Sequence, residues 1–587
     1  MRIAVIDLDR CQPKKCSIEC VKFCPGVRIG DETVVFEEGK AKPTISEELC
    51  TGCGICVKKC PFDAISIIGL PDELEHDLIH QYGENGFRFF RLPYPREKSV
   101  NGLIGPNAIG KTTVIRILSG EVMPNLGEYE DEVDVLEYFS GTQFYDYFSD
   151  LYEEEIKAVY KPQYVDQLPK ISKGNVGKLL EKADEGGRLE NVVDDLELQE
   201  SLDNDVSEVS GGELQRIAIA ATLLKQSDIY VFDEPSSYLD VKQRLNVGKI
   251  IRNLAIEKRV LVVEHDLVLL DYLADYVSTM YGKAGAYGVV SHPRTVREGI
   301  NVYLTGYLRE ENIRFRKVPL RFEVRPPPKG WSAEKLLEFE DLEKSYNGFD
   351  LKVKGGIINE GEIVGILGPN AIGKTTFVKM LAGAIKPDKG KVDTDIKVSY
   401  KPQYIKPEFD GTVSEALGKT VDAFGSKLFD KEIAKPLELE YIYPMPLQDL
   451  SGGELQRVSI AMCLGQEADI YLLDEPSAYL DVEQRLNLAK VIRRSIENKG
   501  SAGLVVDHDI LFTDHISDRL MVFEGEPGVL GVSTSTLSME DGMNKFLKEV
   551  GVTFRRDPET GRPRANKLGS RKDKEQKEKG KYYYLTF

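Results

Sequence analysis

Gly105-Pro-Asn-Ala-Ile-Gly-Lys-Thr112 occurs twice in this chain of 587 residues, the second time unchanged as Gly368 to Thr375. Each copy fits the phosphate-binding pattern G-x-x-x-x-G-K-S/T. Each follows an apolar stretch (Gly102 to Ile104; Ile363 to Leu367) and precedes an apolar helical pattern. That strand–loop–helix context is what the pattern needs to be read as a nucleotide site. Backbone N–H groups of the loop and of the following helix N-terminus can then cradle phosphates. Lys111 and Lys374 are placed to reach the β- and γ-phosphates, and Thr112 and Thr375 to hold Mg²⁺. Asn107, Gly110 and Thr113 complete the first loop; Asn370, Gly373 and Thr376 complete the second. Two ATP sites in one chain imply halves that move against each other.

The repeat runs well beyond the loops. Tyr160-Lys-Pro-Gln163 recurs as Tyr400-Lys-Pro-Gln403, and Ser210-Gly-Gly-Glu-Leu-Gln215 recurs as Ser451 to Gln456. Ile229-Tyr-Val-Phe-Asp233-Glu234 is matched by Ile470-Tyr-Leu-Leu-Asp474-Glu475. Ser236 to Asp240 is matched by Ser477 to Asp481, and Glu264-His265-Asp by Asp507-His508-Asp. Four apolar residues before Asp233, and again before Asp474, read as a strand buried on both faces. Such a strand delivers the aspartate to the Mg²⁺ shell in P-loop ATPases. Ser210 and Glu213, like Ser451 and Glu454, form a capping box at a helix start. The glycines, Gly212 and Gly453 among them, leave bare N–H groups at a positive helix end, which suits an anion.

This ordered set resembles the ATP-binding cassette (ABC) nucleotide-binding domain, twice over. The resemblance implies that Glu234 and Glu475 polarise the attacking water. It implies that Gln163 and Gln403 sense metal and water, and that His265 and His508 are switch histidines. It also implies that the serine-glycine loop of one cassette caps the γ-phosphate held by the other. Ser451 would then close the Lys111 site, and Ser210 the Lys374 site. Tyr82 and Phe87, and Tyr346 and Phe349, precede the loops where cassettes place adenine-stacking aromatics; core packing is the alternative. Ala108 and Ala371 depart from the usual pattern, standing where a third glycine often sits. The two required glycines remain, so binding should survive.

The copies differ in one respect. Gln163 follows Lys111 by 52 residues, whereas Gln403 follows Lys374 by 29. The first copy thus carries an insert near 130–157. Asp134-Val-Leu-Glu-Tyr-Phe and Tyr145-Asp-Tyr-Phe read as a helix–loop–helix whose aromatics favour a docking element over a tolerated surface insertion.

Eight of the nine cysteines lie in the first 60 residues. Cys50, Cys53, Cys56 and Cys60-Pro61 match C-x2-C-x2-C-x3-C-P, the bacterial ferredoxin run in which the fourth cysteine ligates the other cluster. Cys11, Cys16, Cys20 and Cys24-Pro25 form a looser second run. The swap rule assigns Cys50, Cys53, Cys56 and Cys24 to one 4Fe–4S cluster and Cys11, Cys16, Cys20 and Cys60 to another. Zinc is the alternative, but two runs each ending in Cys-Pro favour two clusters. Lys14, Lys15, Lys22, Lys58 and Lys59 flank these cysteines, which suits docking to an anionic surface more than electron transfer. Cys463 lies in an apolar helical stretch and reads as a small buried residue.

The chain is too long for one core, so three or four domains are expected. No apolar run approaches the roughly 18–20 residues that span a bilayer, and the N-terminus does not read as a signal peptide. No membrane contact and a cytoplasmic location are therefore expected. A net charge of −19 argues against a general nucleic-acid coat. Charge is uneven, however. Residues 309–330 carry seven Lys/Arg against three Glu, and residues 555–581 carry eleven against five acidic residues. These segments either touch RNA phosphates or are a solvated linker and tail.

Two cassettes, no membrane segment and an N-terminal eight-cysteine domain opening with Asp9-Arg-Cys-Gln-Pro-Lys-Lys-Cys16 resemble subfamily E of the ABC proteins, the RNase L inhibitor (Rli) family. The resemblance runs the full length and includes the insert, the hinge around Arg325-Pro-Pro-Pro-Lys329 and the basic C-terminus. It implies an α/β protein: a ferredoxin-like domain at 1–75, a first nucleotide-binding domain at 76–308 and a hinge at 309–330. A second nucleotide-binding domain follows at 331–554, with a C-terminal hinge segment at 555–587. It implies an ATPase that recycles ribosomes: it splits them after termination or stalling and stays on the small subunit, touching its rRNA and protein. It acts beside a class-1 release factor or Pelota, as a monomer whose cassettes pair within the chain. ATP closes the cassettes and hydrolysis resets them; the cofactors are two 4Fe–4S clusters and Mg²⁺. The short form and the negative charge point to an archaeal member. A rival reading is an Fe–S electron-transfer ATPase acting on a redox partner. A third is a scaffold that ATP merely holds shut, against which both intact glutamates count.

Overall fold

Val100–Ile104 and Ile363–Leu367, the strands feeding the two phosphate loops, are buried at every residue. Burial on both faces is what a parallel strand between helix layers requires. The computed structural model describes residues 2–37, 39–47, 49–69, 72–129, 133–322, 334–346, 348–392, 396–403 and 409–584. Residues 323–330 of the expected hinge, with Arg325 to Lys329, lie outside the described residues, as do 130–132 of the insert and 585–587 of the C-terminal segment. The chain divides into two compact units: Met1–Pro235 with Lys249–His265 and Leu273–Lys317, and Ser236–Gly248 with Asp266–Tyr272 and Val318–Phe587.

In the first unit a nine-stranded sheet has at its centre Val100–Ile104, flanked by Tyr276–Lys283 on one side and Arg259–Val263 on the other. Ile229–Asp233 and then Ala158–Lys161 continue it in parallel. The second unit repeats this order with Ile363–Leu367 at the centre, then Ala502–Val506, Ile470–Asp474 and Val398–Lys401. Both are α/β sheets, as expected, and both place the carboxyl ends of their parallel strands at the phosphate loop, where such sheets bind ligands.

The cysteine domain also belongs to the first unit. Arg2–Ile6 pairs antiparallel with Ile65–Gly69 over a small core of Ala4, Ile6, Val34, Ile45 and Ile65. Asn85 fastens this domain to the cassette beside it. Its buried amide donates to the carbonyls of Ala4 (3.1 Å) and Ile45 (2.8 Å) and accepts from Ile45 N–H (2.6 Å). Arg88 adds an ion pair in which Nη2 donates to both oxygens of Glu47, at 2.7 and 2.9 Å. Paired and half-shielded from water, that bond outweighs an ordinary surface ion pair.

The insert forms two short helices, and several of the aromatics that favoured a docking element pack inward. Asp134 caps the short helix Val135–Tyr138 and Thr142 caps Gln143–Tyr152. Phe139, Tyr147 and Phe148 are buried in the cassette core, with the Phe139 and Phe148 rings stacked 5.1 Å apart. Tyr138 and Tyr145 are exposed. Aromatic spacing on a short amphipathic helix serves core packing first, because burying a ring contributes more than any rim contact.

The C-terminal segment is likewise more internal than its charge implied. Phe554–Arg556 pairs with Pro563–Ala565, which draws arginines inward. Arg556 pairs with Asp514 at 2.8 Å, while Arg562 (2.9 Å) and Arg564 (2.7 Å) both pair with Asp271. Lys567, Arg571, Lys572, Lys574 and Lys579 remain exposed, several of them on the helix Arg571–Glu578. Arg309, Arg314, Lys317 and Arg321 are exposed as well, but Arg316 is buried against the carbonyls of Tyr303 and Leu304.

Candidate functional site

Each phosphate loop folds back on its own lysine. Lys111 Nζ donates to the carbonyls of Gly105 (3.0 Å) and Pro106 (2.8 Å), and Lys374 Nζ to those of Gly368 (3.0 Å) and Pro369. Gly110 and Gly373 take left-handed φ of 97°, which glycine adopts without strain. Ala108 and Ala371, the departures from the usual pattern, sit at φ 56° and 55° and carry the strain a third glycine would relieve.

The loops are also packed from beneath. A Cβ added at Gly110 would lie 2.8 Å from Phe87, and one at Gly373 would lie 3.0 Å from Phe349. These two rings support the loops. Tyr82 and Tyr346 are exposed instead, Tyr82 with its hydroxyl 3.2 Å from Thr113 Oγ1. Gly288 and Gly531, on the neighbouring strands, escaped the sequence reading. A Cβ there would meet the carbonyl oxygens of Ile109 and Ile372 at 2.0 and 2.1 Å. We expect Gly288→Ala and Gly531→Ala to push the loops out of place. Overpacking of this kind costs about 1–3 kcal/mol, enough to weaken ATP binding about tenfold or more. Isothermal titration with ATP checks it, and unchanged affinity in both variants would sink the idea.

Strands Ile229–Asp233 and Ile470–Asp474 deliver an aspartate and then a glutamate to the same mouth. Gln163 Nε2 donates to Glu234 Oε1 at 2.6 Å, and His265 Nε2 lies 3.5 Å from that oxygen. In the second copy Gln403 reaches Glu475 at 2.7 Å and His508 lies 3.5 Å away. The structure thus gathers Gln, Glu and His at each site, although they are far apart in sequence. Glu234 and Glu475 take left-handed φ of 46° and 47°, the kind of strain that collects at working residues. Ser210 and Ser451 form the expected capping boxes with Glu213 and Glu454.

Electrostatics set a demand for cations. Burial, and then the charge of Glu234, push the Asp233 carboxyl up to about 7. Burial, with the charges of Asp474 and Asp507 adding, pushes Glu475 up to about 7. Burial also raises Asp474, whose Oδ1 is buried with no hydrogen-bond partner among the described residues while Oδ2 accepts from Thr375 Oγ1 at 2.8 Å. An orphaned carboxylate oxygen beside a hydroxyl, next to a second carboxylate, is a donor set that fits Mg²⁺. Burial and the positive charges of Lys374 and Arg244 hold His508 neutral, well below the ordinary histidine range.

The eight cysteines fall into two groups. Cys11 and Cys20 feel Cys16 and Cys60 as charge neighbours, whereas Cys56 feels Cys50, Cys53 and Cys24. The second four line one pocket together with Thr33, Val34 and Ile45. Burial and neighbouring thiolates push Cys20 and Cys56 up to about 11. Crowded and desolvated in this way, the thiols keep their protons unless a bound cation compensates the thiolate charge. Among the described residues no three His, Cys, Asp or Glu side chains converge on a single metal-ion position. Cys463 is buried, with the Ser399 hydroxyl 3.3 Å from its sulfur.

Comparison with known proteins adds to this geometry. The ABC transporter family model matches residues 95–237 and 354–478. A possible Fer4-like domain in RNase L inhibitor matches residues 1–32, and a 4Fe-4S binding domain matches 43–66. An uncharacterised ABC transporter ATP-binding protein of Methanocaldococcus jannaschii is 58% identical over 100% of this chain and 98% of its own length. The translation initiation factor RLI1 of Saccharomyces cerevisiae is 46% identical over 100% of this chain and 98% of its own. A structure described as a model of ribosome-bound archaeal Pelota and ABCE1 matches with a TM-score of 0.94 and 53% identity, covering 100% of this chain and 99% of that one. Nucleotide-binding domains of this kind hydrolyse ATP, and so does this chain. Among the described residues no helix is long and apolar enough to cross a membrane.

Proposed function

The chain belongs to subfamily E of the ABC proteins, the RNase L inhibitor family, and on that footing we propose that it is an ATP-driven ribosome recycling factor. It splits ribosomes into subunits after termination or stalling and stays on the small subunit, in the cytoplasm, beside a class-1 release factor or Pelota. The observation that carries this reading is the full-length likeness, cysteine domain included, to a protein described as ribosome-bound together with Pelota.

Each ATP is held by a phosphate loop through Lys111 or Lys374 and stacks on Tyr82 or Tyr346. Thr112, Gln163 and Asp233 at one site, and Thr375, Gln403 and Asp474 at the other, would hold Mg²⁺. When bound there, the metal supplies charge neutralisation on the β- and γ-phosphates. Glu234 and Glu475 orient and polarise the attacking water, held in place by Gln163 and His265 or by Gln403 and His508. Ser451 and Ser210 close the opposite sites, so that ATP joins the halves and hydrolysis parts them. Cys11, Cys16, Cys20 and Cys60 would hold one 4Fe–4S cluster, and Cys24, Cys50, Cys53 and Cys56 the other. When bound, the clusters would stiffen a docking arm, which Asn85 and Arg88 tie to the first cassette.

A sucrose gradient tests the function. Purified ribosomes are run with the anaerobically prepared protein, a release factor, and ATP or a non-hydrolysable analogue. Free subunits, with the protein on the small one, are expected; intact ribosomes without bound protein would overturn the reading. The two-cluster assignment has its own test. Cys53→Ser should remove about half of the iron and acid-labile sulfide and leave the remainder bound. Loss of none of the iron, or zinc found in its place, would contradict it.

A further inference from the structure

Both Tyr-Lys-Pro-Gln segments carry a lysine that the mechanism above does not use. Lys161 is 0% exposed and Lys401 is 1% exposed. Burying an ammonium is costly unless hydrogen bonds offset the lost water, and a core position of this shape would accept methionine. Here the same costly choice is made in both copies. Lys161 Nζ donates to the Asp233 carbonyl at 2.9 Å and the Glu234 carbonyl at 3.4 Å. Lys401 Nζ donates to the Asp474 carbonyl at 2.8 Å and the Glu475 carbonyl at 3.2 Å.

A second donor meets the glutamate carbonyl from another element. Gln215, on the helix Gly211–Leu224, reaches the Glu234 carbonyl at 2.8 Å, and Gln456 reaches that of Glu475 at 2.7 Å. The backbone so gripped is the strained one, with left-handed φ at both glutamates. Such a conformation persists only where its surroundings over-determine it. Released, the glutamate would relax toward an ordinary conformation and carry its carboxylate away from Gln163 or Gln403.

We propose that Lys161 and Lys401 are positioning residues for hydrolysis. Each clamps the Asp–Glu peptide from below and so aims the Glu234 or Glu475 carboxylate at the attacking water. The inference rests on the reading of these two glutamates as the water-polarising groups. Placement of the lysine on the strand that leads into Gln163 or Gln403 ties the aim of the glutamate to the position of the glutamine. Gln215 and Gln456 tie it in turn to the helix that begins at the serine-glycine loop.

The experiment uses the full-length protein with both clusters in place and measures steady-state ATPase and equilibrium ATP binding. Lys161→Met with Lys401→Met removes the donors and keeps the volume. Turnover should fall about 10- to 100-fold, the effect of a catalytic group misplaced by an ångström or so. KM for ATP should change less than about threefold, because the loss falls on the transition state and not on binding. Lys161→Gln with Lys401→Gln keeps an N–H donor and should recover most of the turnover. Unchanged kcat in the Met variant, a loss confined to KM, or a Gln variant no better than Met would each overturn the proposal. Should the Met variant fail to fold, Gln215→Leu with Gln456→Leu decides the matter. That variant removes the other donor to the same carbonyls: lower kcat at unchanged KM supports the clamp, and wild-type kcat removes it. Glu234→Gln with Glu475→Gln, run alongside, separates the two ideas. If the glutamate variant is fully active, the underlying reading falls. If it is slow while the lysine variants keep wild-type turnover, only the clamp falls.

Discussion

Exchange of Glu234 and Glu475 together for glutamine is expected to leave ATP binding intact and to slow hydrolysis by roughly 10²–10⁴-fold, the usual contribution of a positioned base. Glutamine keeps the shape and still meets Gln163 or Gln403, which hold the glutamates at 2.6 and 2.7 Å. It cannot take up a proton or polarise water with a full charge. The phosphate loop lies on other residues, so affinity has no reason to fall. With ATP bound and no reset, the double variant should remain closed and accumulate on its target. Single-turnover hydrolysis and nucleotide binding on the same preparation check this, and wild-type turnover in the double variant would sink the assignment. Each single variant should lose less, because the other site stays complete.

Asp271→Ala is expected to destabilise the second unit by about 3–5 kcal/mol, the cost of leaving buried charge unpaired. Asp271 and Arg562 are each 0% exposed, and Arg564 shares the same carboxylate. Two arginines would be left side by side, with Arg562 Nε and Nη2 already lacking partners among the described residues. The effect should show as a fall of roughly 10 °C in the thermal transition of that unit. Replacing Asp271 and Arg562 together by methionine should recover most of the loss, since Arg564 keeps Asp557 as a partner at 3.6 Å and removing a buried pair is close to neutral. A wild-type melting curve for Asp271→Ala would show that the network contributes nothing. The pH dependence has a definite sign. Burial works to raise the Asp271 pKa, but the two arginines hold it below its ordinary value. Its contribution is therefore fully present above the ordinary aspartate value of about 4. It is lost only as pH falls further, through the folded value. The deficit of Asp271→Ala should stay constant from neutral pH down to about 4 and shrink in stronger acid.

Where a function depends on neighbours along the chain, it could be read before any fold was known. The phosphate loops need glycines and a lysine within eight residues, so Gly105 to Thr112 announces itself. A strand buried on both faces must be a run of apolar residues, so Ile229–Asp233 and its double were legible from composition alone. Cysteine spacing suggested a crossed grouping, and Cys24 does line one pocket with Cys50, Cys53 and Cys56.

Tertiary structure decided what depends on residues distant in sequence. Gln163 and Glu234 lie 71 positions apart and Asp271 and Arg564 lie 293 apart, and no local pattern states that they meet. The fate of charge and aromaticity was decided there too. Arg562 and Lys161 look like solvated residues in the sequence, yet an aspartate and a pair of carbonyls draw them inside. Phe139 and Phe148 look available for a partner, yet they complete the cassette core. Gly288 and Gly531 were silent, because their reason is a carbonyl of another strand's loop at 2.0 and 2.1 Å from where a Cβ would stand. A sequence specifies its close-range chemistry through spacing. Burial and partnership between segments are set only when the sheet register brings those segments together.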